Sequence, residues 1–271
     1  MVCSLSMIAQ QKAIYDDHQK GQWYLLWGWN TEGYTKSKIH FKGNDYDFTL
    51  YKVLAHDSPT PIRDLHNSLA FSKLTYPQTN FRLGVFVSKN HSVSFGVDHM
   101  KYVMTQNQTV HMKGSITQPG PFEGEYDGPK TLTSDFMKFE HTDGLNYINV
   151  ETEKYFGWNP FKNFLLRLSA MVGGGMGILF PKTNVTMLNY ARNDRYHVSG
   201  FGLDIKAGVQ ITLLKFLVMK FENKYGYINM PNIILHQKGI PGRARQSFFF
   251  GSFDGMFGFT APLGGLKKHK K

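Results

Sequence analysis

The run Glu140-His141-Thr142-Asp143-Gly144-Leu145-Asn146 is the cluster in this chain whose residue types suit nucleophilic catalysis. An imidazole such as His141 can act as base for a hydroxyl such as Thr142, with Glu140 or Asp143 orienting the ring. The order of the residues works against that use. In an extended segment His141 and Asp143 share one face, while Thr142 points to the other. The plainer reading of the same residues is a polar strand end whose groups hydrogen-bond inward.

Other reactive residue types are dispersed. Asp98-His99 and His56-Asp57 are neighbours on extended segments, so each pair points to opposite faces unless a bulge intervenes. A metal site needs three or four convergent ligands, and His40, His66 and His111 stand apart, so no metal and no cofactor are expected. Gly173-Gly174-Gly175-Met176-Gly177 lacks the lysine and following helix of a phosphate loop and reads as close strand packing. The single cysteine, Cys3, excludes an intrachain disulfide and a cysteine-based zinc site.

The elements that must position these residues show in an alternation of large apolar with small or charged residues. Over 200–213, Phe201, Leu203, Ile205, Ala207, Val209 and Ile211 interleave with Gly202, Asp204, Lys206, Gly208, Gln210 and Thr212. Successive strand side chains face opposite ways, so one face is apolar and the other polar or bare. Eight strands are expected near 22–36, 79–88, 91–105, 140–154, 163–181, 197–213, 215–230 and 246–262. Short turns join some of them; connections near 38–78, 106–136, 182–195 and 231–245 are long and polar. The first long connection has room for a hairpin, Ile39-His40-Phe41 against Asp47 through Tyr51, or a short helix after Pro61; ten strands is therefore the competing count.

Parity gathers the charges on one face: Glu32, Arg82, Asp98, Glu151, Glu153, Arg167, Asp204, Lys206, Lys220, Glu222, Lys224 and Asp254. A soluble sandwich or a fatty-acid-binding barrel would simply solvate that face. Three features favour the inverse arrangement, apolar to lipid and charges inward: Trp23, Trp27 and Trp29 on one strand, glycines beside the charges, and Phe249, Phe253, Phe257 and Phe259 on the last. An eight-stranded interior is just wide enough for side chains to fill. The expected fold is all-β: a single antiparallel transmembrane barrel over 22–262, with short periplasmic turns and long extracellular loops.

The totals agree with that fold. The 271 residues include 15% aromatics, 27 glycines and only 19% charged residues, and no apolar run approaches the roughly 18–20 residues of a spanning helix. The formal charge of +11 suits phosphate-rich surroundings. Basic residues form a block only in the tail, residues 263–271, so nucleic acid is not an expected partner. Residues 1–11 read as the remaining part of a signal peptide, with an ordinary irregular terminus as the alternative.

Trp27-Gly28-Trp29-Asn30, Phe81-Arg82-Leu83-Gly84-Val85, Gly200 through Gly208, and Tyr225-Gly226-Tyr227-Ile228-Asn229 carry a resemblance. Over nearly all of 22–262 the chain resembles small outer-membrane β-barrel proteins of Gram-negative bacteria, of the kind found widely in Bacteroidetes. It departs from them where Gly264-Gly265-Leu266 and the basic tail follow the aromatic last strand. The resemblance implies an outer-membrane location, outer-membrane lipid and lipopolysaccharide as partners, and a monomer. It leaves the role open among a structural or surface-binding barrel, a narrow channel and a lipid A-modifying hydrolase. For the hydrolase, His141 and Thr142 are similar to the His-x-Ser motif of outer-membrane lipid A deacylases, with Thr in place of Ser. Surface binding would use an extracellular ligand that the sequence does not identify. Asp45, Tyr46, Asp47, His56, Asp57 and Arg63 are its exposed candidates in the first loop.

Overall fold

The structure is a computed structural model and describes residues 20–58, 78–158, 166–193 and 195–262. In chain order its strands begin with β1 (Gln22–Tyr34), β2 (Ser37–Gly43), β3 (Tyr46–Val53), β4 (Ala55–His56) and β5 (Thr79–Phe86). There follow β6 (His91–Met104), β7 (Thr109–Ile116), β8 (Gly124–Thr131), β9 (Met137–Trp158) and β10 (Leu166–Pro181). The last are β11 (Asn184–Met187), β12 (Gly200–Leu213), β13 (Leu217–Ile234) and β14 (Gly242–Pro262).

Eight of these strands close a ring in the order β1-β5-β6-β9-β10-β12-β13-β14, with β14 returning to β1 and every pair antiparallel. Closure removes both sheet edges, so every backbone group of the ring can be paired without water. The alternation is inside-out relative to a soluble protein. Leu203, Ile205, Val209, Phe221, Phe253 and Phe257 are outward and exposed, whereas Asp204, Lys206, Glu222 and Asp254 are buried inside. On β14 the outward aromatic row runs from Phe249 to Phe259. At about 3.3 Å per residue and a strand tilt of roughly 40°, that row is about 25 Å tall, the height of a lipid-facing belt.

At one end β5 joins β6 and β12 joins β13 through tight connections. Phe216 N–H donates to Leu213 O (3.1 Å), and Leu214 and Lys215 both take positive φ, 49° and 69°. Two successive positive φ values mark the central pair of a type I′-like turn within a three-residue connection, at some steric cost for residues other than glycine. At the other end the chain builds further structure. The ring count is eight, not ten. The hairpin expected in the first connection does form, with Phe41 opposite Phe48, but β2 pairs with the upper part of β14 rather than entering the ring. The possible helix after Pro61 lies outside the described residues.

The remaining connections contain more strand than their polarity suggests. The segment 106–136 forms β7 and β8, which extend the sheet as β14-β2-β3-β7-β8. In β7, Val110, Met112 and Ile116 face inward between exposed Thr109, His111 and Lys113. β8 is a polar outer strand containing Pro129, a residue that sheets tolerate at edges. Segment 231–245 is largely taken up by the ends of β13 and β14, with a register shift between Met230 and Ile233. Together these strands wrap a second core, including Phe41, Phe48, Leu50, Met112, Phe136 and Phe139.

Candidate functional site

The ring interior is filled in three layers. At the tight-turn end Tyr24, Leu26, Phe86, Tyr155, Met171, Val218 and Met256 form an apolar plug. At the opposite end the second core descends into the ring through Met100, Tyr102, Leu145, Tyr147, Ile228 and Phe250. Between them lies a belt of charges.

Arg82 holds the centre of that belt. Its Nη2 is 2.6 Å from Asp98 Oδ1, and its Nε donates to Glu151 Oε2 at 2.9 Å. Lys224 reaches Asp98 and Glu151, both at 2.7 Å. Lys206 bridges Glu151, Glu153 and Glu222, and Lys220 bridges Glu153 and Glu222. Tyr147 donates to Asp204 at 2.7 Å, and Asn149 to Asp98 at 2.9 Å. Charge-assisted hydrogen bonds of this kind are the strong ones, and taking one partner away leaves a buried charge. A glycine makes the room: a Cβ on Gly96 would sit 2.5 Å from both Arg82 Nη1 and Asn149 Oδ1.

Of the twelve charged residues that parity places inside, Arg167 alone is not buried; it lies near the tight-turn end, opposite Thr212. The buried charges of the described residues are seven carboxylates (Glu32, Asp98, Glu151, Glu153, Asp204, Glu222 and Asp254) and four cations (Arg82, Lys206, Lys220 and Lys224). Parity also held the signal for the neutral partners, because Tyr147 and Asn149 share the face of Glu151. Considering only charges misses them.

The structure separates the residues of the possible catalytic cluster. His141 is wholly buried among Tyr102 and Phe139, and its Nδ1 lies 2.9 Å from Thr183 Oγ1. Thr142 instead donates to Glu140 at 3.2 Å, and Asp143 pairs with Lys182 at 3.1 Å. Neither carboxylate orients the imidazole, and the Thr142 hydroxyl is not directed at it.

The first-loop candidates also divide. Tyr46 is buried, not exposed: with Phe48 and Leu50 it is on the inward face of β3, and its hydroxyl is 2.7 Å from His236 Nε2. Asp45 accepts from Tyr190, and Asp47 pairs with His40 (2.8 Å) and Lys42 (2.6 Å), which hold its carboxyl below the usual carboxylate range. Glu32 N–H donates to Asp57 at 2.8 Å, and His56 Nδ1 lies 3.2 Å from Thr105 Oγ1. Arg63 lies outside the described residues.

His236 gives the upper core a pH dependence. Burial pushes its pKa down to about 4, outweighing the nearby Asp45 carboxylate. An unfolded chain takes up that proton near pH 6.5, whereas the folded chain refuses it until about pH 4. Above the unfolded value both states are neutral and the residue is silent. Stability of this region therefore falls as pH falls from about 6.5 to 4. Amide hydrogen exchange in β3 and around 235–242 should accelerate across that window, after correction for intrinsic rates. His236→Phe should flatten the response; an unchanged profile would remove His236 as its source.

No protein-family model and no curated protein matches the sequence. Solved structures with a similar course of the chain include AlkL, an outer membrane protein solved by solid-state NMR in DMPC bilayers. It is 11% identical, with 93% of this chain and 95% of that chain covered and a TM-score of 0.41. OprG from Pseudomonas aeruginosa is 10% identical over 90% of this chain and 98% of its own, at a TM-score of 0.37. Ail of Yersinia pestis, an attachment invasion locus protein, is 9% identical over 90% and 100%, at 0.34.

Proposed function

We propose that this chain is an outer-membrane barrel that is closed to transport and acts at the outer surface, where its folded upper sheet binds the anionic headgroups of lipopolysaccharide. The observation that carries this reading is the three-layered filling of the ring, which leaves the surface rather than a lumen to do the work. The separation of His141 from Thr142 and from both carboxylates weighs against the hydrolase.

The choice of headgroup comes from charge. On the outer face of the upper sheet Arg243 stands opposite Lys42 and Arg245 opposite His40, with Lys38 and Lys113 on the same face. The directly opposed cations Arg243 and Lys42 are unfavourable on their own, and such a pair is relieved by an anion. Asp47 and Asp127 offset only part of the set. Arg245 is four residues above Phe249, the uppermost outward aromatic of β14. That is about 13 Å along the strand, which reaches headgroup level.

Two measurements test the proposal. Planar bilayers containing the refolded chain should show no steady conductance. Lipopolysaccharide binding should weaken about thirtyfold in the double variant Arg243→Ala, Arg245→Ala, since each surface cation contributes about 1 kcal/mol. Steady large conductance would overturn the closed interior, and unchanged lipopolysaccharide binding would overturn the headgroup assignment.

A further inference from the structure

Beside the charge belt several buried polar atoms have no hydrogen-bond partner among the described residues. Neither oxygen of Asp254 and neither amide atom of Asn30 or Asn80 has a hydrogen bond among the described residues, and Glu32 Oε1 has none. All four residues are at least nine-tenths buried: Asp254 is 1% exposed, Asn80 1%, Asn30 4% and Glu32 9%. They are contiguous on the inner wall. Asn30 is directly opposite Asp254, and Asn80 is opposite Gly28, two residues below Asn30. Glu32 is two residues above Asn30 and so diagonal to Asp254. Such positions are about 4.5–5.5 Å apart at Cβ when direct and within about 8 Å when diagonal, so the tips can converge.

The charge around them is unbalanced as well. The buried carboxylates of the described residues outnumber the buried cations by three. Lys224 and Arg82, the cations within electrostatic range of Asp254, are both already engaged by Asp98 and Glu151. On its other side Asp254 directly opposes Glu222, a second carboxylate. Water would satisfy the amides but leave the excess charge in place. A proton on Asp254 would cancel one charge and provide a single donor for several acceptors. A divalent cation would partner the unpaired oxygens and offset two of the three excess charges, leaving only the amide N–H groups to water.

We infer that Asp254, Asn30, Asn80 and Glu32 form a buried site for one hard divalent cation of the calcium class. The donors are all oxygens: two from the Asp254 carboxylate, one from each carboxamide and one from Glu32. These five oxygens, with water completing the shell, suit calcium, which takes 6–8 oxygen ligands at 2.3–2.6 Å and tolerates irregular geometry. It contains no nitrogen or sulfur donor of the kind that selects zinc or copper. Gln78 flanks the site: its Nε2 donates to Asp57 Oδ2 at 3.0 Å and also to Glu32. The cation would bind the inner wall of β1, β5 and β14 and tie together the strands at which the ring closes.

The test uses the full chain refolded in detergent micelles, with calcium alone as the probe. After desalting, elemental analysis should find one calcium per chain, and chelation should lower the melting temperature. Asp254→Asn and Asn30→Leu should each refold and lose the ion, while Glu140→Gln, outside the cluster, keeps it. Wild-type chain with no bound ion, and with a melting temperature unmoved by calcium or chelator, would overturn the site and assign the missing charge to a proton. Calcium kept in full by Asp254→Asn would overturn the placement. The wild-type metal count decides the first point even if a variant fails to refold.

Discussion

Replacing Arg82 with methionine is expected to destabilise the barrel by about 3–5 kcal/mol, the cost of leaving buried counter-charges uncompensated. Arg82 is completely buried and makes paired contacts with Asp98 and Glu151. Its loss removes one of the four buried cations and raises the carboxylate excess of the described interior from three to four. Arg82→Lys should fall between the two, because an ammonium keeps the charge but not the fork that engages two carboxylates. Urea unfolding from lipid vesicles, followed by tryptophan fluorescence, measures the difference. Arg82→Met within half a kcal/mol of wild type would show that the belt does not hold the ring together.

The second large effect belongs to the outer face. Ile205 is the most exposed of the outward apolar residues, at 69%, and is the third of seven outward positions on β12. Ile205→Arg should cost about 2–4 kcal/mol, the figure for a cation near the bilayer midplane of a barrel. Thr109→Arg, exposed on β7 above the belt and opposite the neutral Thr131, should stay within about half a kcal/mol, as surface substitutions do. The same vesicle-based unfolding assay compares them. Equal effects at the two positions would mean that the outward face of β12 meets water.

The ring was legible in the sequence because its strands are long and two-faced. Over 200–213 the alternation is almost unbroken, and the structure pairs that segment with β10 and β13 along nearly its full length. The upper sheet was less legible for physical reasons. β7 has only eight residues, and β8 lacks an apolar face, so neither gives a strong period-2 signal. Both take their strand form from the neighbours they pair with. Tyr46 shows the same tertiary effect. Its alternation with Phe48 and Leu50 marks an inward residue, but only once the hairpin is known to cover a core. Asn30 and Asn80 are harder still. Parity places Asn30 beside Glu32, yet a neutral amide carries no charge to balance, and its lack of a partner appears only with the side chains in place.

The closed, inside-out barrel is the claim on which everything else rests, and spin labels along β12 test it most directly. Single cysteines at positions 201 through 211, each introduced into a chain lacking Cys3, would be labelled and reconstituted in lipid. Collision rates would then be read with oxygen, which partitions into lipid, and with a water-soluble nickel chelate. Labels at 201, 203, 205, 207, 209 and 211 should collide with oxygen and not with the chelate, and labels at the even positions with neither. Chelate access at the odd positions would place the apolar face in water, and chelate access at the even positions would open the interior; either contradicts the closed barrel.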